Sequence, residues 1–190
     1  MSEEFILADN VKVYDLKTAK EIISKTKKDV RSLSAEDLIF VLFYSQKENP
    51  IYGRTMLTKQ MFLLVNEILS ETSIKFQDVK FVPYSYGPYS FYLMDTINHL
   101  NFSGDLIIDG RKNSSKESFI LTARGIDNAK KVYDSLPKNI RDIISNKRIG
   151  WDQLGTKGIL RYVYNYYPAF KQNSKIKNKF KEITWGKGKG

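Results

Sequence analysis

The chain has 190 residues, 42% of them hydrophobic and 27% charged, with no cysteine and one histidine. That size and balance suit one sizeable folded core. They exclude disulfides and thiolate chemistry, and leave too few ligands for a structural zinc site. The formal net charge is +10, and residues 137–190 hold 13 Lys/Arg against 3 Asp/Glu, so essentially all of the excess sits there. An acidic partner would be met there first.

The chain opens Met-Ser-Glu-Glu, acidic where a signal peptide is basic. Its longest apolar run, Leu38 to Tyr44, has 7 residues, against the roughly 20 of a membrane span. A soluble cytoplasmic protein with no membrane contact is expected. In residues 1–16, Phe5-Ile6-Leu7 and Val11-Lys12-Val13-Tyr14 could be short strands. Residues 17–31 suit a basic, lightly amphipathic helix, which completes an N-terminal extension over 1–33.

Ser34 is placed to cap a helix over 35–47, with Glu36 and Asp37 suited to its positive end. That helix is apolar nearly all round, the mark of a buried one. Asn49-Pro50 ends it and Gly53 permits a turn. The next helix spans about 55–70, with Leu57, Met61, Leu64, Val65 and Ile68 inward and Lys59, Gln60, Asn66 and Glu67 mostly on the other side. Residues 74–83 look extended.

Then comes Phe81-Val82-Pro83-Tyr84-Ser85-Tyr86-Gly87-Pro88-Tyr89-Ser90, a turn crowded with aromatics. Pro88 suits the first position of a helix over 88–101, whose face would be Tyr89, Leu93, Ile97 and Leu100. After Gly104, residues 105–109 and 118–121 read as strands around a polar wing at 110–117. Thr122 caps a helix to about Leu136. Pro137 opens a short helix to about Asn146, Gly150 and Gly155 bracket a linker, and a last helix covers 156–167. Residues 171–190 form a lysine-rich tail. There is no internal repeat. The fold class expected is α+β and mostly helical: a winged helix-turn-helix-like core over 34–136, an insertion before its third helix, and extra C-terminal helices over 137–170.

Gly53-Arg54-Thr55-x-Leu57-x-Lys59-x-x-Phe62-Leu63-Leu64, the Phe81-x-Pro83-Tyr84-x-Tyr86-Gly87-Pro88-Tyr89-Ser90 turn and Leu121-Thr122-x-x-Gly125 resemble the Panacea-type, SocA-like, antitoxin- and phage-associated domain of prokaryotes. Leu160-x-Tyr162-Val163-Tyr164-x-x-Tyr167-Pro168 looks like the closing helix of related proteins. The resemblance covers roughly 36–170. It implies a winged-helix-like fold and a recognition role linked to toxin neutralisation or to delivery of partners to proteases. It carries over no catalytic residues.

Two readings follow. In the first, the protein binds nucleic acid as a regulator or antitoxin-like factor, holding DNA phosphates with Arg54, Lys59, the wing cations Arg111, Lys112 and Lys116, and Lys175, Lys177, Lys179 and Lys181 of the tail. Its third helix has no Lys or Arg from 88 to 101, so base reading by that helix is not expected. In the second, an antitoxin-like adaptor grips a partner protein such as a toxin through an aromatic groove at Tyr84, Tyr86, Tyr89 and Tyr92. The plainer reading of those rings is packing of the turn, and of Lys59 a solvated face. Arg54 could instead serve loop carbonyls.

His99 with Asp95 four residues earlier could orient a base, but a surface pair explains them equally well. Nothing marks Ser90 or Ser103 as a nucleophile. No phosphate loop of the Gly-x4-Gly-Lys-Ser/Thr kind occurs. An enzyme, a cofactor and a bound metal are not expected, a homodimer is left open, and the balance of charge favours the nucleic-acid reading.

Overall fold

Ser34 starts helix α1 (Ala35–Tyr44) through a reciprocal cap: its hydroxyl accepts from the Asp37 N–H at 3.1 Å, and the Asp37 carboxylate accepts from the Ser34 N–H at 2.9 Å. Leu38 to Phe43 are all buried, so α1 is the central helix its sequence announces. The computed structural model describes residues 5–7, 11–13, 17, 18, 20, 21 and 32–171. Most of the basic helix expected over 17–31 lies outside those residues, as do positions 172–190, with Lys175, Lys177, Lys179 and Lys181. The strands expected near the N-terminus are present as β1 (Phe5–Leu7) and β2 (Val11–Val13), paired antiparallel.

After strand β3 (Ile51–Tyr52), helix α2 (Arg54–Leu63) continues through a π-helical turn, Leu64–Ile68, and a 3-10 turn, Leu69–Glu71. The expected polar face of this helix is not solvated. Lys59, Gln60 and Glu67 are buried, and only Asn66 among them is exposed. Residues distant in sequence cover that side and supply the polar partners. Gln60 donates to Asp152 at 2.7 Å, and Tyr167 reaches Glu67 at 3.4 Å. Burial pushes the Glu67 carboxyl up, opposed chiefly by its bond to Tyr162.

The aromatic turn is a hairpin, not a helix start. Strands β4 (Val82–Tyr84) and β5 (Gly87–Tyr89) pair antiparallel with Pro83 opposite Pro88. Helix α3 (Phe91–Phe102) begins later than the expected Pro88, because Ser90 is the better cap. Its hydroxyl accepts from the Leu93 N–H at 2.9 Å and donates to the Val79 carbonyl. Tyr89 therefore belongs to a strand, while Leu93, Ile97 and Leu100 face inward as expected. The stretch before β4 makes only an isolated bridge, Leu33 with Phe76.

Strands β6 (Leu106–Asp109) and β7 (Ser118–Leu121) form the expected hairpin, and β3 completes an antiparallel sheet of order β3-β7-β6. Helix α4 (Ala123–Ser135) is capped by Thr122, whose hydroxyl accepts from the Gly125 N–H at 3.0 Å. Helix α5 (Lys138–Tyr166) consists of two helical pieces that meet at a kink at Gly155, with φ 59° and ψ 179°. The first piece runs through Gly150, so the expected linker shrinks to Gly155, after which the last helix begins as expected. Trp151, buried between those glycines, gives the stretch a reason to stay ordered. One apolar cluster runs from Leu33 to Val163, so residues 137–166 share the core of 34–136. The fold is α+β and mostly helical. No helix among the described residues is long and apolar enough to cross a membrane.

Candidate functional site

A cleft of about 560 Å³ opens between the β4–β5 hairpin and the β6–β7 loop. Tyr84, Tyr86, Tyr89 and Phe91 line it from the hairpin and the start of α3, Asn113, Ser114 and Ser115 from the loop, and Arg54, Thr58 and Lys59 from α2. Of these rings, Tyr84, Tyr89 and Phe91 contact each other. Centroids lie 5.3 Å apart for Tyr84 and Tyr89, 5.4 Å for Tyr84 and Phe91, and 4.9 Å for Tyr89 and Phe91. They remain open to solvent: Tyr84 is 46%, Tyr86 47% and Phe91 55% exposed. A contiguous exposed aromatic cluster of this kind is a feature of interaction sites rather than of plain surface.

The two α2 cations are not surface groups, which corrects their assignment to phosphate. Arg54 Nε lies 3.0 Å from both carboxylate oxygens of buried Glu117, and Nη2 lies 2.7 Å from Oε1. Glu117 also accepts from the Asn113 N–H at 2.7 Å, and its carbonyl accepts from the Gly53 N–H at 2.6 Å. Arg54 thus ties the start of α2 to the base of the β6–β7 hairpin through a carboxylate rather than through loop carbonyls.

Lys59 is 1% exposed. Its ammonium donates to the Pro88 carbonyl at 2.8 Å and toward the Thr58 hydroxyl at 3.5 Å. Burial without a compensating charge pushes its pKa down to about 7. The Lys59–Pro88 bond fastens the aromatic hairpin to α2. The sequence places Lys59 in a helical polar stripe and gives no sign that a distant carbonyl would claim it.

Arg111, Lys112 and Lys116 are exposed on the β6–β7 loop and make no ion pair among the described residues. They flank the cleft lining without belonging to it. Tyr92 also separates from the other aromatics. It accepts from Gln77 at 2.9 Å and lines a second hollow with Glu36, Asp95 and His99. There His99 Nδ1 meets Glu36 Oε1 at 3.0 Å, so its partner is not the expected Asp95. Both serines considered as nucleophiles are committed locally: Ser90 as the α3 cap, and Ser103 to Leu100 at 3.1 Å and Asp105 at 2.8 Å. Phe91, in direct contact with Tyr84 and Tyr89, joins the site in place of Tyr92. In the sequence Phe91 already stands within the aromatic run from Tyr84 to Tyr92.

Gly87 shapes this wall. Its φ is +86°, and a Cβ there would lie 2.8 Å from Tyr164 Cε1 and 3.6 Å from Lys59 Cε. Valine at this position should therefore cost about 1–3 kcal/mol. An unchanged urea midpoint for Gly87→Val would show that Tyr164 and the hairpin yield at no cost.

Compared with known proteins, the chain matches no family model, no curated sequence and no solved structure.

Proposed function

We propose that this protein is a recognition module that engages a partner protein through the cleft between the β4–β5 hairpin and the wing. The carrying observation is the contacting ring cluster of Tyr84, Tyr89 and Phe91 with exposed Tyr86 beside it. Of the nearest cations, Arg54 is paired with Glu117, and Lys59 is buried with its ammonium on the Pro88 carbonyl. Aromatic anchors in a shaped cleft are the usual energetic centre of a protein interface. The exposed side of α3 carries Asp95 and no Lys or Arg, which opposes phosphate. The order α1, β3, α2, α3, β6, β7 supports a winged-helix-like core with residues 72–90 as its insertion. The Panacea-type resemblance favours a toxin as the partner.

A second reading, nucleic-acid binding through phosphates, is favoured by the exposed wing cations and by the charge excess in 137–190. A photo-crosslinking residue at Tyr86, with one at exposed Tyr52 as control, separates the two. A discrete protein adduct in cells at Tyr86 alone, lost in a Tyr84→Ala/Phe91→Ala background, is expected. Absence of any adduct, together with duplex binding whose log K falls by about 0.9 per phosphate contact for each decade of salt, would put the second reading first. In that case neutralising Arg111, Lys112 and Lys116 should flatten the salt slope.

A further inference from the structure

The α2 side of the cleft has an unbalanced charge. Arg54 and Glu117 neutralise each other, whereas Lys59 donates only to two neutral oxygens and enters no ion pair among the described residues. The Thr58 hydroxyl donates to the carbonyls of Arg54 and Thr55, at 2.9 and 3.1 Å, so it meets the amine as an acceptor. A buried ammonium held this way lacks an anion.

We propose that the cleft captures the C-terminal carboxylate of a partner chain, seating it against Lys59 with the last side chain on the Tyr84–Tyr89–Phe91 rings. This rests on the reading of the cleft as the partner-binding site. Charge complementarity favours an anion, and the volume sets its form. About 560 Å³ is the size of a compact ligand site. A chain end fits such a space, while an internal segment must both enter and leave. Asn113 and Ser115, across from the rings, have no side-chain hydrogen bond among the described residues and can take the last main-chain groups. Capture of chain termini by such convergent polar groups is a known mode of peptide recognition. A carboxylate beside the amine would also favour its protonated form, so binding above neutral pH takes up a proton.

The test uses full-length protein labelled with 13C at lysine Cε, following the Lys59 resonance through a pH titration. Lys59→Met identifies that signal by its loss. The probes are acetyl-Ala-Ala-Phe with a free carboxylate, its C-terminal amide, and acetyl-Ala-Glu-Phe-amide, which carries only an internal carboxylate. The free acid should raise the Lys59 midpoint by about 1–3 units, and the two amides should leave it in place. No shift with the free acid, or an equal shift with the internal glutamate, overturns the proposal. If Lys59→Met fails to fold, Lys59→Arg, which keeps the cation, identifies the signal by its loss instead, and the wild-type titration decides the question. If the free acid fails while the Tyr86 crosslink persists, the partner reading stands and terminal capture falls. If both fail, the cleft itself is misread.

Discussion

Alanine at position 125 should cost more than about 4 kcal/mol or prevent folding, the opposite of what helix propensity alone gives. Gly125 lies in the first turn of α4, where alanine is ordinarily better by about 1 kcal/mol. Here, however, a Cβ would stand 1.9 Å from the Asp105 carbonyl oxygen and 2.8 Å from its carbon. Neither atom can move cheaply. That carbonyl accepts from the Thr122 N–H at 3.0 Å, and the Asp105 carboxylate is held by Arg124 at 2.8 and 2.9 Å, by Asn128 at 3.0 Å and by Ser103. The Arg124 bond, foremost, holds the Asp105 carboxyl well below the usual carboxylate range. Gly125 is thus where α4 rests directly on the chain leaving α3. Gly150→Ala is the control, since it is helical and a Cβ there meets nothing within 4 Å. It should gain about 0.4–1 kcal/mol. Urea unfolding of both variants checks the pair, and equal midpoints would show that the α3–α4 junction relaxes freely.

These contrasts indicate what the sequence makes legible. Local chemistry survives the passage to three dimensions. Ser34 and Thr122 cap the helices expected of them, Gly110 opens the β6–β7 loop, and Leu93, Ile97 and Leu100 face the core. What local pattern cannot reveal is which distant group competes for a residue. Pro88 suits a helix start as well as a strand, and the Ser90 cap together with pairing to Pro83 decides for the strand. Lys59, Gln60 and Glu67 form a polar stripe that reads as solvated until residues 88, 152 and 167 claim it. Arg54 finds its carboxylate 63 positions away. The aromatic half of the site is visible in Tyr84, Tyr86 and Tyr89, because rings around a Gly-Pro turn stand out in any sequence. Its buried charge is visible only once α2 and β5 are side by side.

Lys59 makes the second large effect one of pH. Its pKa falls from 10.5 in the unfolded chain to about 7 in the native protein, because burial removes the ammonium from water. Between those values the unfolded chain holds a proton that the native state lacks, so this group makes stability rise with pH across that window. Below about pH 7 both states are protonated and the full penalty applies, on the order of 5 kcal/mol. Above about 10.5 the penalty is gone. Lys59→Met keeps the volume and removes the titration, but leaves the Pro88 carbonyl without its donor, at a cost of about 1–3 kcal/mol. The variant should therefore be more stable than wild type at about pH 6, and its advantage should shrink by about 1.4 kcal/mol per pH unit above neutrality until it reverses. Urea unfolding of both proteins at about pH 6, 7.5 and 9 measures the difference directly. Parallel stability curves would mean that the amine keeps its proton in the native state, with an anion or water reaching it through the cleft. A difference that narrows with pH would place an uncompensated charge beneath the aromatic hairpin, held there by the same bond that fixes Pro88.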